Sequence, residues 1–127
     1  MENEFEKLLD AVAETLSIYL LLGQSIGYNE LAKLHGLKKV TNSNWKSHRL
    51  MPVFVALDLE DASAGRALRT VIVVREETKR PGPGFYLSLS MRRKIRVVTV
   101  AEKEVAYQRE RAQAVAYATR RQSAVIA

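Results

Sequence analysis

Phe5, Leu8, Leu9, Val12, Ala13, Leu16 and Leu20 recur at the spacing of one helical face, which predicts a first helix over 4–22. Asn3 stands where an N-cap belongs, and Glu6, three residues on, would close a capping box. The last turns are apolar nearly all round, so Ile18, Tyr19, Leu21 and Leu22 call for deep burial or a second subunit. A break at 23–27 leads to a short helix over 28–35. Its apolar face would hold Tyr28, Leu31, Ala32 and Leu34, with Gly36 as a left-handed stop.

Beyond the basic turn Lys38-Lys39-Val40-Thr41, Asn42 or Ser43 can cap a third helix running toward Leu59. Trp45, Leu50, Val53, Phe54 and Leu57 would line its buried side, leaving Asn44, Lys46, Ser47 and Arg49 on or near the outer one. Pro52 disfavours helical geometry at Met51, so a kink or a restart is expected there. Residues 68–74 are dense in β-branched side chains and read as a strand. Two prolines and two glycines in 76–84 are turn chemistry. Phe85, Leu87, Leu89 and Met91 then alternate with Tyr86, Ser88 and Ser90, the period of a half-buried strand, so a β-hairpin with a long tip is predicted. Thr99-Val100-Ala101-Glu102 is a capping box opening a helix over 100–122, about 33 Å long. Part of that length is expected to pair with another chain.

With 127 residues, 47% of them hydrophobic and 27% charged, the chain fits one domain with a real core. It has no cysteine, which excludes disulfides, thiolate metal sites and thiol nucleophiles together. The longest apolar run, 16–22, is too short to span a bilayer, and acidic residues precede it where a signal peptide would be basic. A soluble, cytoplasmic chain without membrane contact is expected.

Charge is distributed unevenly around a net value of +6. Lys33, Lys38, Lys39, Lys46 and Arg49 share 31–57 with no acid, and in 66–96 nine basic residues face only Glu76 and Glu77. The acidic excess lies elsewhere, which suggests two cationic windows for nucleic-acid phosphates.

The order of helix, short helix, turn, polar-faced helix, hairpin and terminal helix resembles the winged helix-turn-helix superfamily over roughly 27–91. That resemblance implies an α+β fold with a β-hairpin wing and long N- and C-terminal helices. It would form one domain over 1–127, with a core at 26–91 and flanking helices at 4–22 and 100–122. Tyr28-Asn29-Glu30-Leu31-Ala32 is similar to the corresponding helix start in the DNA-binding domain of alkylguanine alkyltransferases and alkyltransferase-like proteins. Those enzymes carry a reactive cysteine in Pro-Cys-His-Arg. This chain has none, and its Ser47-His48-Arg49 lies in a different context, so only the DNA-binding scaffold is implied.

Carried over by position, Lys38, Lys39, Asn42, Asn44, Lys46, Ser47 and Arg49 would face bases and phosphates. Lys79 and Arg80 would touch backbone from the wing tip, and Arg92, Arg93 and Lys94 would clamp phosphate beyond it. A merely solvated charged face is the plain alternative for each group, and Trp45 reads as core rather than as a stacking platform.

Catalytic chemistry finds little support. His35 and His48 lack carboxylate company at ligand spacing, so no metal is expected. Asp58, Glu60 and Asp61 sit in a polar connection with nothing apolar to raise a pKa. No serine has a nucleophile-elbow context, and the Gly-Pro-Gly stretch is a rigid turn rather than a phosphate loop. The expected protein is no enzyme and needs no cofactor. It is a double-stranded DNA-binding transcription regulator or accessory factor, homodimeric through Ile18, Tyr19, Leu22 and the C-terminal helix. An acidic protein partner on the same basic face is the alternative, with RNA third.

Overall fold

The computed structural model describes residues 3–126, with side chains through residue 123. Helix α1 (Glu4–Leu22) begins at Asn3, whose Oδ1 accepts the Glu6 amide at 2.8 Å. It ends at Gly23, held at φ 67° while the Gly23 and Gln24 amides return to the Leu20 and Tyr19 carbonyls, a Schellman closure. Leu8, Val12, Leu16 and Leu20 form its buried stripe.

A two-residue strand β1 (Ile26–Gly27) leads into α2 (Tyr28–Leu34), which stops at His35 and the left-handed Gly36. After a stretch of turns and a single 3₁₀ turn at Trp45–Ser47, α3 (Leu50–Ser63) buries Leu50, Val53, Phe54 and Leu57. Segment 67–74 then runs through the centre of the molecule as a 3₁₀ turn (Arg69–Ile72) and a two-residue strand β2 (Val73–Val74). Its Leu68, Val71, Ile72 and Val73 are fully buried. β2 pairs with β1 in parallel, Ile26 opposite Val73 and Gly27 opposite Val74. α4 (Pro83–Met91) and α5 (Val100–Ile126) complete the chain. α5 lies along α1 and the 3₁₀ turn at 69–72, burying Ala106, Tyr107 and Ala114.

The winged helix-turn-helix expectation is overturned: the described residues hold five α-helices and one two-stranded parallel sheet, with no β-hairpin wing. Two physical causes account for the misreading. The β-branched density of 68–74 reflects complete burial, which suits any backbone that threads a core, and only its last two residues join a ladder. The alternation in 85–91 also contains the helical i, i+4 pair Phe85 and Leu89; both are buried, whereas Leu87 and Met91 are about 60% exposed. Pro83 fixes the matter locally, since it occupies the first helical position, where its missing amide would have no partner anyway.

The reader helix expected from Asn42 fails as well, because residues 42–49 are turn and 3₁₀ backbone and α3 starts only at Leu50. Pro52 then falls in the first turn of α3, needing neither kink nor restart. No helix among the described residues is long and apolar enough to cross a membrane.

Candidate nucleic-acid surface and cleft

The segment 38–49 is built by short-range hydrogen bonds around one buried histidine. His48, 1% exposed, uses Nε2 on the Lys38 carbonyl at 2.8 Å and accepts the Leu50 amide at Nδ1, at 3.1 Å. These two contacts together select the tautomer with its proton on Nε2 and tie the loop to the start of α3. Asn44 accepts the Thr41 amide and donates to the Lys39 carbonyl, both at 2.8 Å, while the Ser47 hydroxyl donates to the Asn44 carbonyl. Asn44 and Ser47 are therefore turn-formers whose polar groups face the chain itself. Lys38, Lys39, Lys46 and Arg49 remain exposed, and neither they nor Lys33 enters an ion pair among the described residues.

The second cationic window behaves differently, because most of its guanidiniums are neutralised internally. Arg66 and Arg69 both reach Asp61 at 2.7 Å, and Asp61 is 1% exposed. Those two arginines hold the Asp61 carboxyl below its ordinary range despite its burial. Arg80, expected at a wing tip, instead forks onto Glu104 of α5 with two 2.8 Å bonds and lies over the Tyr107 ring. The pairing draws the Glu104 carboxyl down to about 2. Arg93 forks onto Glu110, and Arg96 reaches Glu102 at 3.4 Å. Glu102, Glu104 and Glu110 of α5 are thus the counter-charges of Arg96, Arg80 and Arg93, while Asp61 of α3 serves Arg66 and Arg69. Arg80, Arg93 and Arg96 of the second window fasten α5 to the body. Lys79 and Lys94, both at positive φ on exposed turns, stay unpaired among the described residues.

Of the residues predicted to mediate a dimer, Ile18 and Leu22 are exposed at the end of α1, while Tyr19 packs partly against the core.

Between the 40–45 turn, the outer side of α3 and segment 75–88 lies a cleft of about 470 Å³, within the range of small-ligand sites. One wall is aromatic: Tyr28, Trp45 and Phe54 pack with ring centroids 5.4 to 5.8 Å apart, Trp45 edge-on to both neighbours. Gly82, Gly84 and Leu87 also line the cleft. Gly82 brings its backbone close enough for its amide to donate to the Tyr28 hydroxyl at 3.2 Å. Burial pushes that hydroxyl above its ordinary range.

Arg75 crosses the rim to donate to Asn42 at 3.3 Å, which places Asn42 on the cleft rather than on a reader helix. Glu76 accepts the Asn29 amide at 2.9 Å. It thereby supplies the N-terminal cap that Gly27, lacking a side chain, cannot give α2.

Asp58 lies deep in this cleft, 5% exposed, accepting the Thr70 hydroxyl at 2.7 Å. Burial pushes its carboxyl up to about 6, opposed by Thr70, by the Ser88 hydroxyl alongside and by the charge of Arg92. The expectation that nothing apolar surrounds Asp58 fails because 58–61 is the interior of α3, not a connection. Arg92, expected on a phosphate clamp, lines the same cleft, and its shielded Nε finds no hydrogen-bond partner.

Sequence reasoning missed Asp58, Thr70, Arg75 and Arg92 as a group. The available signal was the i, i+4 pair Phe54 and Asp58, which puts a carboxylate on the same side of α3 as an aromatic ring. Among the described residues, no three histidine or acidic side chains gather as a metal would require. A scan of family models and comparisons with curated proteins and with solved structures return no match.

Proposed function

We propose that the protein binds nucleic acid, with duplex DNA as the expected form, through the phosphate-facing cations Lys33, Lys38, Lys39, Lys46 and Arg49. The observation that carries this reading is the contrast in pairing. These five cations have no ionic partner among the described residues, while Arg66, Arg69, Arg80, Arg93 and Arg96 do. An unpaired cation can release phosphate counterions on binding, whereas one already held by a carboxylate contributes little.

Because Asn44 and Ser47 are engaged in the turn, little base-edge reading is available from this segment. Binding should therefore be largely independent of sequence. Replacing Lys46 and Arg49 together with alanine should weaken duplex binding by about 30-fold near 0.15 M salt, as expected for two lost phosphate contacts. Fluorescence anisotropy with a labelled duplex measures it, and unchanged affinity would reject the segment as the contact.

A further inference from the structure

We propose that the cleft beside Trp45 binds a small monocationic amine, a primary ammonium on an apolar body, with the ammonium seated at Asp58, Thr70 and Ser88. The inference goes beyond phosphate binding, since it concerns one small cation and none of the five unpaired cations of 33–49 takes part.

The contrast between two carboxylates of α3 carries the inference. Asp58 and Asp61 are both buried, at 5% and 1% exposed. Two arginines reach Asp61 at 2.7 Å and hold its carboxyl below the ordinary range. Among the described residues no guanidinium or ammonium hydrogen-bonds Asp58; Arg92 acts on it only through its charge, and burial pushes its carboxyl up to about 6. A buried carboxylate without a bonded cation is costly, and Asp58 lines the cleft, where an incoming cation supplies what Asp61 already has.

The groups beside Asp58 suit a primary ammonium, which carries three donors and no acceptor. The Thr70 hydroxyl donates its proton to Asp58 at 2.7 Å and keeps its lone pairs, and the Ser88 hydroxyl stands alongside the same carboxylate. All three side chains line the cleft, so one ammonium meets three acceptors. Trp45, Met51, Val55 and Leu87 line it as well, and Leu87 is 60% exposed, so an apolar body seated there removes that surface from water. Charge agrees. Asp58, Glu76 and Glu77 outnumber Arg75 and Arg92 by one around the cleft of a chain whose net charge is +6, so a single positive charge completes the balance and an anion is disfavoured.

The full chain is titrated near pH 8, where Asp58 is ionised and the amine charged, with phenethylamine, phenethyl alcohol, phenylpropionate and trimethylated phenethylammonium. The four probes change the head group on one body, and none carries phosphate, so the readout is separate from duplex binding. Calorimetry gives the affinities, and the emission of Trp45, the one tryptophan of the chain, follows occupancy of the cleft it lines. Saturable binding of phenethylamine, half-complete below about 1 mM, is expected, with the alcohol, the acid and the trimethylated analogue about tenfold weaker or more. Asp58→Asn should weaken phenethylamine by about tenfold or more and leave the alcohol unchanged, and a cooperative melting transition no lower than the parent's excludes unfolding as the cause. Ser88→Ala, which removes one acceptor from a half-buried side chain, should weaken phenethylamine about fivefold and decides the matter if Asp58→Asn melts lower. No binding of phenethylamine, equal binding of any of the other three probes, or undiminished binding by a folded Asp58→Asn or Ser88→Ala would overturn the proposal.

Discussion

Arg93 and Glu110 face each other in a two-pronged ion pair, with Nε at 3.0 Å and Nη2 at 2.8 Å from the two carboxylate oxygens. Glu110 is 1% exposed and also accepts the Leu68 amide at 2.8 Å, so one carboxylate joins α5, the end of α4 and the central segment. Removing one member of such a buried pair strands the other and orphans an amide. Glu110→Ala is expected to lower stability by about 3–5 kcal/mol, read as the shift in urea midpoint. The exposed pair Arg96 and Glu102 is the control.

Asp58 gives the protein a defined pH response. Its folded pKa of about 6 lies above the ordinary 3.8, so between those values the folded protein holds a proton that the unfolded chain has released. Stability from this group therefore falls as pH rises through that window, and above it the buried charge costs up to roughly 3 kcal/mol. Asp58→Asn should remove the slope between pH 4 and 6 and raise the melting temperature at pH 7. A variant that melts lower at pH 7 with the slope intact would show that Asp58 is not buried in its charged form.

How much of this was legible in the chain depended on whether the signal was local. The apolar stripe and cap of α1, the stop at Gly36 and the capping box at Thr99 and Glu102 are read from neighbours within a turn, and the structure contains each of them. Residues 68–74 and 85–91 misled because burial on all sides and the pair Phe85 and Leu89 are compatible with both periods. Only the tertiary setting chooses between them. The charge windows were visible as counts, but a count cannot show that Arg80 meets Glu104 or that Arg93 meets Glu110, partners 24 and 17 residues away. The cleft was out of reach for the same reason: Tyr28, Asp58, Arg75 and Arg92 come from four separate elements.

The cap of α2 is supplied from a distance and should be separable from the core. Glu76 accepts the Asn29 amide, and a methyl group on Gly27 would overlap that carboxylate. Glu76→Ala should lose about 1 kcal/mol by thermal melting, the ordinary worth of an N-cap, and Gly27→Ala at least as much. If Gly27→Ala were neutral, Glu76 would not be seated at the helix start.

Within the second window, Lys79 and Lys94 are the exposed cations that remain. Replacing both with alanine is expected to change duplex affinity far less than replacing Lys46 and Arg49, because each is a single cation on its own left-handed turn rather than one of a cluster within 38–49. Side-by-side anisotropy titrations make the comparison, and a larger loss from the Lys79 and Lys94 pair would return the contact to 66–96.

The most direct measurement is the slope of log affinity for duplex DNA against log salt concentration. Four or five unpaired cations on one segment call for a slope between about −3 and −5. A slope near −7 or steeper would mean that the arginines held by Asp61, Glu104 and Glu110 are also engaging phosphate, and absence of salt-sensitive binding would mean that the 33–49 cations engage none; either contradicts the account.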